Sequence, residues 1–587
     1  MKTIRTLLAL LLVLALGVPV SFGETAADGA AEDTRSWERK TFPLYLTFYG
    51  TVPYMEEFPL YFADGVNDMP YVDISDVLAC YNKRDEENDP DVLRLNAEYD
   101  QEGGEVTIRL GENTSSLCLN FAEQYVSYSS FDSFHSPSYE SMMDNLYSSG
   151  FNEAGEPELF RRISSVVLQR EGNPLFIDMK EYDIPMIRRD GLFLMPMHTA
   201  FDLIIGMPTK GKAICFNGQA VFFGYITELG KETELGQLYY SVQADERSPE
   251  LTSYGLNELC MELDHFYGLK EAHGVTRFFD LLLNSGLAKR FLDLSANEAD
   301  KALAMLLSFY LDDGHSGYRS NSWMTGTDPE VNPETVKGGF SAVTGYYTEK
   351  VLLETREKYP DSKLPYFEVG NTAYICQDSF HMYEEDPGAY YKGLTEEQIA
   401  KDTIALIIYA HDRITREDSP IENVVIDLSC NGGGDVDAAI FMMSWFLGEA
   451  PFSSLNPITG AQRTALYQAD VNLDRVFDEK DTLDGLNLYC LISPLSFSCA
   501  NLVPWVFKSS GKVTLIGDTT GGGSCVVLPM TSAWGSMFQI SGYSRCSFVK
   551  NGSYYDVDRG VDPDVPLTKA ETFCDREKLT EIINNLY

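Results

Sequence analysis

The stretch that most constrains the fold is residues 491–524, LISPLSFSCANLVPWVFKSSGKVTLIGDTTGGGS. A short apolar run breaks at Pro494, passes through the hydroxyl-rich turn 496–498 and becomes an amphipathic segment at 499–508. A strand that leads into a serine at the start of a helix is a favourable position for a nucleophile, because the unpaired N–H groups of a helix N-terminus stabilise an oxyanion. Ser498 therefore has two readings, a catalytic nucleophile or an ordinary helix N-cap.

The composition is that of a large, strongly acidic protein. The chain has 587 residues, of which 44% are hydrophobic, so packed cores are expected. Its length corresponds to about three or four domains. The formal net charge is −43. Nucleic acids and anionic membrane surfaces both bind clustered lysine and arginine, so the charge argues against either as a partner.

Residues 1–23 have the pattern of a signal peptide. Lys2 and Arg5 form a positive n-region, residues 7–18 form an apolar core, and small residues follow. No later apolar run approaches the length of a membrane span. We therefore expect a secreted or extracytoplasmic (cell envelope) protein, with residues 24–39 as a flexible mature N-terminus and no stable membrane insertion after signal cleavage. An uncleaved N-terminal anchor is the alternative.

The cysteines and histidines do not form a metal-binding pattern. The eleven cysteines include no C-x-x-C pair, and the seven histidines include no H-E-x-x-H. No pair of histidines has the spacing of metal ligands, so neither a metal nor an organic cofactor is expected. Export would permit disulfides, but the sequence does not assign their pairing.

Periodicity divides the chain into three parts. Residues 40–230 contain short alternating runs separated by turns, which predicts a β-rich accessory module. Residues 254–345 have apolar residues at three- and four-residue spacing and predict a helical subdomain that ends in a histidine-bearing loop. In residues 346–587 a strand, a glycine turn and a helix recur, which predicts an α/β core of stacked β–β–α units.

Two local features bear on chemistry. The turn NGGGD at 431–435 follows an apolar strand and lacks the G-x-G-x-x-G and G-K-[ST] spacings of phosphate loops. It is either an oxyanion-binding turn or an ordinary strand-to-helix turn. His315 lies at a helix end, in a glycine-flanked turn beside two acids. The G-x-S-x-G elbow of α/β-hydrolases is absent from the sequence.

Four landmarks occur in order along the chain. They are LDDGHSGY at 311–318, VVIDLSCNGGGD at 424–435, SPLSFSCANL at 493–502 with IGDTTGGGS at 516–524, and DRGVDPDVPL at 558–567. Together they resemble the C-terminal processing (tail-specific) serine peptidases, in the branch that includes the tricorn protease core and the interphotoreceptor retinoid-binding protein. The resemblance covers about residues 255–575. It implies a core of the crotonase/Clp-like peptidase type.

The resemblance also implies roles for individual residues. Ser498 matches the nucleophile, and His315 matches the base of the tricorn-like branch. A hydroxyl needs an adjacent base to become nucleophilic at neutral pH, and imidazole suits that task. The backbone N–H groups of Gly433 and Cys499 would form the oxyanion hole.

Three further comparisons with the family concern the base and the substrate. The family's acidic residue, which orients the base just before the G-V-x-P-D segment, is matched by Asp558, with Asp556 as the alternative. The turn that carries a lysine base in another branch contains Gly522 and Gly523 and no lysine here. No peptide-binding module of the PDZ type is recognisable between His315 and the strand that starts near residue 423.

These features predict an exported serine peptidase that hydrolyses peptide bonds in a peptide or protein substrate. A catalytically silent binding protein on the same fold is the alternative. A cell-surface structural protein is a third hypothesis, based only on the β-rich part. The sequence indicates neither the cleavage preference nor the oligomeric state.

Overall fold

The computed structural model describes most of the chain after the first 33 residues. The described residues are 34–47, 50–86, 93–134, 159–163, 168–207, 213–224, 229–242, 244, 246–325, 329, 339–383, 387–567 and 569–586. The predicted signal peptide and residues 24–33 of the predicted flexible N-terminus lie outside this range. Residues 37–39 of that N-terminus begin the strand Trp37–Leu46, where the Trp37 ring packs edge-on against Tyr71. The prediction of flexibility is therefore wrong for them.

Two sheets come from the first part of the chain. The seven strands of one follow the order Ile187–Arg189, Leu192–Pro196, Tyr71–Asp73, Met55–Ala63, Trp37–Leu46, Val221–Gly224 and Ala213–Phe216. The five strands of the other follow the order Leu175–Asp178, Tyr125–Tyr128, Leu117–Asn120, Glu105–Leu110 and Leu95–Asp100. Every second side chain of Glu105–Leu110 is buried, so the alternation in the sequence places one face of this strand in the core.

Two further sheets carry the candidate site. The main path of an eight-stranded sheet is Gly317–Ser320, Met537–Lys550, Ala450–Leu455, Gln462–Ala469 and Phe160–Arg162, with Cys525–Thr531, Ser553–Tyr555 and Leu168–Arg170 paired to its side. A six-stranded sheet has the order Tyr366–Val369, Thr372–Cys376, Asn423–Asp427, Asn487–Ile492, Val513–Gly517 and Val565–Pro566. Its strands pair in parallel from the second onward. All side chains of Asn423–Asp427 are buried, as expected where both faces of a parallel sheet are covered.

The helices of the described residues fall into three kinds. The α-helices are Ile74–Glu86, Phe131–Phe134, Met197–Phe201, Glu234–Tyr239, Pro249–Phe266, Phe278–Ser285, Leu287–Phe291, Ala296–Met305, Phe340–Tyr347, Glu396–Lys401, Thr403–Thr415, Val436–Leu447, Cys499–Ser510, Ala570–Cys574 and Arg576–Asn584. The π-helices are Asp202–Gly206, Leu306–Leu311 and Thr348–Thr355. The 3₁₀-helices are Arg356–Lys358, Pro360–Lys363, Pro387–Lys392 and Glu479–Asp481.

One hydrophobic core joins the predicted accessory module to the predicted helical subdomain. Buried side chains from residues 44–324 form a single cluster with side chains from residues 525–543. In addition, Phe160–Arg162 and Leu168–Arg170 pair with the strand Gln462–Ala469. The predicted accessory module is therefore not separate, because its strands and side chains complete a sheet and a core that the rest of the chain also builds.

The elements around the candidate site follow the sequence pattern. The apolar run before NGGGD forms the strand Asn423–Asp427, and the helix Val436–Leu447 follows it. The second unit repeats this order with the strand Asn487–Ile492 and the helix Cys499–Ser510. The predicted recurrence of strand, turn and helix is confirmed, and the molecule is a mixed α/β protein with several sheets.

Two global features of the described residues concern membranes and thiols. None of the helices in these ranges combines the length and the apolar character that crossing a bilayer requires. All eleven cysteines lie in described positions, and no disulfide is formed between them in the described residues.

Candidate active site

Ser498 lies immediately before the helix Cys499–Ser510, with a backbone conformation that is unusual for serine. Its φ is 58° and its ψ is −122°. For a residue other than glycine, such a conformation costs about 1–3 kcal/mol. The Ser498 side chain makes no capping hydrogen bond to the helix. An ordinary N-cap serine has extended backbone and accepts a hydrogen bond from the first helical turn, so the N-cap reading of Ser498 does not hold.

Backbone hydrogen bonds hold Ser498 in this strained conformation. Its N–H donates to the carbonyl oxygen of Gly522 at 2.9 Å. Its own carbonyl oxygen accepts from the N–H groups of Asn501 and Leu502 at 2.9 and 3.0 Å. Strained residues persist where surrounding contacts over-determine them, and they cluster at functional sites. The geometry is thus a reason, independent of the sequence motif, to regard Ser498 as functional.

One cavity contains both candidate catalytic side chains. His315 and Ser498 line a cavity of about 270 Å³, together with the glycine turn and the start of the Ser498 helix. Much of the remaining wall is apolar, with Leu502, Val526 and Val527 among its residues. The two side chains share this cavity without a hydrogen bond between them. In enzymes without substrate, catalytic hydrogen bonds are often long and shorten when the substrate binds.

The loop that carries His315 is fixed by Asp313. One carboxylate oxygen of Asp313 accepts from the N–H groups of His315 and Ser316, at 3.1 and 2.6 Å. The other accepts from the hydroxyls of Ser316 and Tyr267, at 2.8 and 2.7 Å. On the far side, the amide of Gln539 donates to the His315 carbonyl oxygen at 2.6 Å. The backbone of His315 is therefore held on both sides.

The imidazole of His315 is buried, with only 7% of the residue exposed. Its ring lies 4.6 Å from that of Phe497, measured between centroids, and its Nδ1 has no hydrogen-bond partner among the described residues. Burial lowers the pKa of His315, and the negative charges of Asp313 and Asp558 oppose this shift. The neutral imidazole, which is the form that accepts a proton, is thus favoured at neutral pH.

The glycine turn lies directly against Ser498. Gly433 has a φ of 101°, and a Cβ atom on it would lie 2.7 Å from the Cβ atom of Ser498. Gly434 has a φ of 131°, and its Cβ would lie 1.9 Å from the carbonyl oxygen of Phe380. Both positions require glycine for space as well as for conformation. The turn can approach the serine this closely only because it has no side chains there.

The two predicted oxyanion donors differ in their availability. The N–H of Gly433 donates to the side-chain oxygen of Asn431 at 2.8 Å, so it is not free to bind a substrate oxygen in this conformation. Gly434, and not Gly433, lines the cavity. The N–H of Cys499 has no acceptor among the described residues, whereas its thiol donates to the Gly434 carbonyl oxygen at 3.1 Å. The Gly433 assignment stays a prediction that requires the bond to Asn431 to break.

Asp558 lies behind the cavity wall and does not hydrogen-bond to His315. Its carboxylate accepts from the N–H and the hydroxyl of Ser524, at 3.0 and 2.9 Å. The Ser524 hydroxyl oxygen in turn accepts from Nε of Arg545 at 2.9 Å, and Arg545 forms an ion pair with Asp556. The negative charge of Asp558 acts on His315 through space. Its role in orienting the base stays a prediction.

Sequence reasoning missed several residues that build the site. Ser524 and Arg545 hold Asp558, and Gln539 holds the His315 loop. Ser524 directly follows the glycine turn 521–523, and this position in the sequence could have indicated that Ser524 lies near the site. Gln539 and Arg545 lie in a long strand whose alternation predicts burial but not the partner of each side chain.

Comparison with known protein families finds a model that matches part of this chain. Residues 406–567 match the model of peptidase family S41. This segment contains the glycine turn, Ser498 and Asp558, and His315 lies before it. No curated protein matches the chain.

Several solved structures are similar at low identity. The photosystem II D1 C-terminal processing protease is 17% identical, with 36% of this chain and 46% of that chain aligned and a TM-score of 0.25. A putative peptidase from Parabacteroides merdae ATCC 43184 is 18% identical, with coverages of 58% and 96% and a TM-score of 0.39. A putative S41 protease from Bacteroides fragilis NCTC 9343 is 15% identical, with coverages of 38% and 57% and a TM-score of 0.27. The alignment with the first spans less than half of that protein. Residues 406–567 are thus similar to peptidase family S41, a family of serine hydrolases.

Proposed function

We propose that the protein is a serine peptidase in which Ser498 is the nucleophile and His315 is the general base. The observation that carries the proposal is that one cavity contains both side chains, with Ser498 in a strained backbone conformation that its neighbours enforce. Burial of His315 favours the neutral imidazole that the mechanism needs. Burial also raises the pKa of the Cys499 thiol far above its usual range, which leaves the serine as the nucleophile at this position.

The first chemical step is attack of the Ser498 hydroxyl oxygen on the carbonyl carbon of a peptide bond. The imidazole of His315 accepts the hydroxyl proton as the new C–O bond forms. Negative charge then develops on the substrate oxygen. The N–H of Cys499, at the N-terminus of its helix, is available to stabilise this charge, and the turn at Gly433 and Gly434 would supply the second donor.

The remaining steps release the two products. His315 returns its proton to the leaving amine, and the C–N bond breaks to give an acyl-enzyme on Ser498. Water then attacks the ester with His315 again as base, and the acid product leaves with the Ser498 hydroxyl restored. The apolar wall at Leu502, Val526 and Val527 favours an apolar substrate side chain beside the scissile bond.

Two broader features belong to the same proposal. The parallel sheet with its repeated strand–turn–helix units is consistent with a core of the crotonase/Clp-like peptidase type. Export guided by residues 1–23 would place the enzyme outside the cytoplasm, where its substrate would be a peptide or a protein. Amino-terminal sequencing of the mature protein from the cell envelope or the medium tests the proposed export and signal cleavage.

Labelling with a fluorophosphonate probe tests the catalytic assignment. The wild-type protein is expected to be labelled on Ser498, because the probe reacts only with an activated serine. The Ser498→Ala variant is expected to remain unlabelled, and His315→Ala should reduce peptide hydrolysis about 10²- to 10⁴-fold. Ser510, at the other end of the same helix, supplies the matched control Ser510→Ala, which should leave labelling unchanged.

The outcome that contradicts the proposal is a folded wild-type protein that is neither labelled nor able to cleave any member of a peptide library. That result would favour the catalytically silent binding protein. Circular dichroism of each variant distinguishes loss of chemistry from loss of fold.

A further inference from the structure

A buried cluster of one histidine and three acids lies outside the candidate active site. Its members, called the 198/258 cluster below, are His198, Asp202, Glu258 and Glu262. None of them is more than 4% exposed. One possible ligand atom from each residue lies within 4.8 Å of the others. The proposed peptidase chemistry uses none of these residues.

Two helices each contribute a pair of these side chains at a spacing of four residues. His198 and Asp202 lie where the helix Met197–Phe201 continues into a π-helix, and Glu258 and Glu262 lie on the helix Pro249–Phe266. Side chains four residues apart are on the same face of a helix. The two faces therefore meet with four polar groups directed at one buried point, which is an arrangement that apolar packing does not require.

A hydrogen-bond chain fixes the tautomer of His198. The hydroxyl of Thr531 donates its only proton to the carbonyl oxygen of Ile214 at 2.9 Å. The 3.0 Å contact between this hydroxyl oxygen and Nε2 of His198 therefore requires the Nε2–H to be the donor. The Nδ1 lone pair of a neutral imidazole then points into the cluster. In metal sites a second hydrogen bond of this kind commonly orients the ligating imidazole.

The contacts around Nδ1 have the distances of an ion pair but not the directions of hydrogen bonds. Oxygen atoms of Glu258 and Asp202 lie 2.9 and 3.0 Å from Nδ1. Within the described part of the chain, Nδ1 nevertheless has no hydrogen-bond partner, and neither has Oε1 of Glu262, which lies 4.0 Å from it. Where metal–ligand bonds are about 2.0–2.2 Å long, neighbouring ligand atoms lie about 3–3.5 Å apart. The lone pair of each ligand atom then points at the ion and not at the neighbouring ligand.

A bound cation would also balance the charge of the cluster. Three buried carboxylates bring three negative charges, and a protonated His198 would cancel one of them. The hydroxyls of Thr199 and Tyr254 donate to Oε1 of Glu258, at 2.6 and 2.5 Å, and stabilise that carboxylate alone. Buried charges in proteins are paired or coordinate metals.

We propose that the 198/258 cluster binds one divalent transition-metal ion of the Zn²⁺ or Mn²⁺ class. An imidazole nitrogen with several carboxylate oxygens suits these ions, whereas Ca²⁺ requires six to eight oxygen ligands. The ion has a structural role, because it joins the helix Met197–Phe201, which follows a strand of the seven-stranded sheet, to the helix Pro249–Phe266. The strand Cys525–Thr531 lies beside this junction. This inference differs from the sequence expectation of no metal, which considered only spacings between histidines and between cysteines.

Metal analysis of the full chain tests the proposal. The protein is stripped with a chelator, reloaded separately with Zn²⁺ or Mn²⁺, desalted, and analysed by inductively coupled plasma mass spectrometry together with its Tm. We expect one ion per chain and a higher Tm for the reloaded protein, because a ligand that binds only the folded state stabilises it. Mg²⁺ and Ca²⁺ serve as comparison ions and are expected to have little effect.

Two matched substitutions on one helix assign the ion to the cluster. Glu262→Gln removes a proposed ligand charge with almost no change in shape and is expected to weaken binding about 100-fold or more. Glu250→Gln makes the same chemical change at an exposed position of the same helix and is expected to bind the ion as the wild type does.

Three results would overturn the proposal. Wild-type protein that retains neither ion after reloading, with a Tm that the chelator does not change, shows that protons neutralise the cluster instead. Equal ion content in Glu262→Gln and wild type shows that the ion is bound elsewhere. Tighter binding of Ca²⁺ than of Zn²⁺ and Mn²⁺ contradicts the assigned class of ion. The wild-type measurements decide the first and third points even where the variant fails to fold.

Discussion

At the scale of single residues, the charge of His315 determines whether the cavity has a base. Burial lowers its pKa, and Asp313 and Asp558 partly offset that effect. The neutral form accepts the proton, so kcat/KM should rise with pH through an apparent pKa below the ordinary histidine value and then level off. In Asp558→Asn the offsetting charge is lost, the pKa of His315 falls further, and the acidic limb should move to lower pH. Profiles of kcat/KM against pH for the wild type and Asp558→Asn measure this shift. An acidic limb that stays in place or moves to higher pH in the variant contradicts the prediction.

The contact between Gly433 and Ser498 gives a second prediction at this scale. In Gly433→Ala the new Cβ would lie 2.7 Å from that of Ser498, in a backbone conformation with positive φ. One of the two must move, and a displacement of about 1 Å at a nucleophile costs on the order of 100-fold in rate. We therefore expect kcat to fall by about that factor.

The neighbouring glycine supplies the matched control for this substitution. A Cβ atom on Gly432 meets nothing within 4 Å, so Gly432→Ala should lose much less activity. Steady-state kinetics of the two variants test the argument, and equal losses would show that the turn tolerates no side chain for another reason.

At the scale of elements, the junction between strand and helix stores strain at Ser498. Its φ of 58° and ψ of −122° are accessible to glycine at little cost, whereas alanine keeps the penalty. Ser498→Gly should therefore be more stable than Ser498→Ala by about 1 kcal/mol or more, although both lack the proposed nucleophile. Denaturant unfolding of the two variants measures the difference. A less stable glycine variant would mean that the backbone relaxes when the hydroxyl is removed.

The sequence predicted the order of these elements better than their local geometry. The helix Val436–Leu447 and the strand Asn423–Asp427 follow from an apolar run, a glycine turn and a helical pattern. The backbone conformation of Ser498 could not be predicted, because it depends on a hydrogen bond to Gly522, in a turn further along the chain. The sequence motifs identified Ser498 and His315 as candidate catalytic residues, but they did not predict the distance between the two side chains.

At the scale of the whole molecule, the shared core predicts that the chain does not divide at residue 246. A fragment of residues 246–587 loses the strand partners at Phe160–Arg162 and Leu168–Arg170 and one side of the larger hydrophobic cluster. We expect it to lack a cooperative thermal transition and to expose apolar surface. Calorimetry and dye binding, with residues 34–587 as control, test this. A fragment with native-like melting would support the separate accessory module that the periodicity of the sequence predicts.

Periodicity could not show this arrangement, because it reports only which face of each element is buried. Short alternating strands before residue 230 predict burial correctly but leave the covering surface unidentified. The structure shows that a long-range pairing, between residues more than 290 positions apart such as Arg170 and Gln462, supplies part of that surface. Such pairings are set by the packing of the whole chain.

The strand Met537–Lys550 has a consequence for how the cleft is kept aligned. It meets the His315 loop through Gln539 near one end and holds Ser524, and with it Asp558, through Arg545 further along. One strand thus sets the distance between the His315 imidazole and the Asp558 carboxylate, whose charge raises the pKa of that imidazole. Sliding this strand by one residue would invert its faces and displace both groups at once, so the correct strand register is also a condition for assembling the candidate active site.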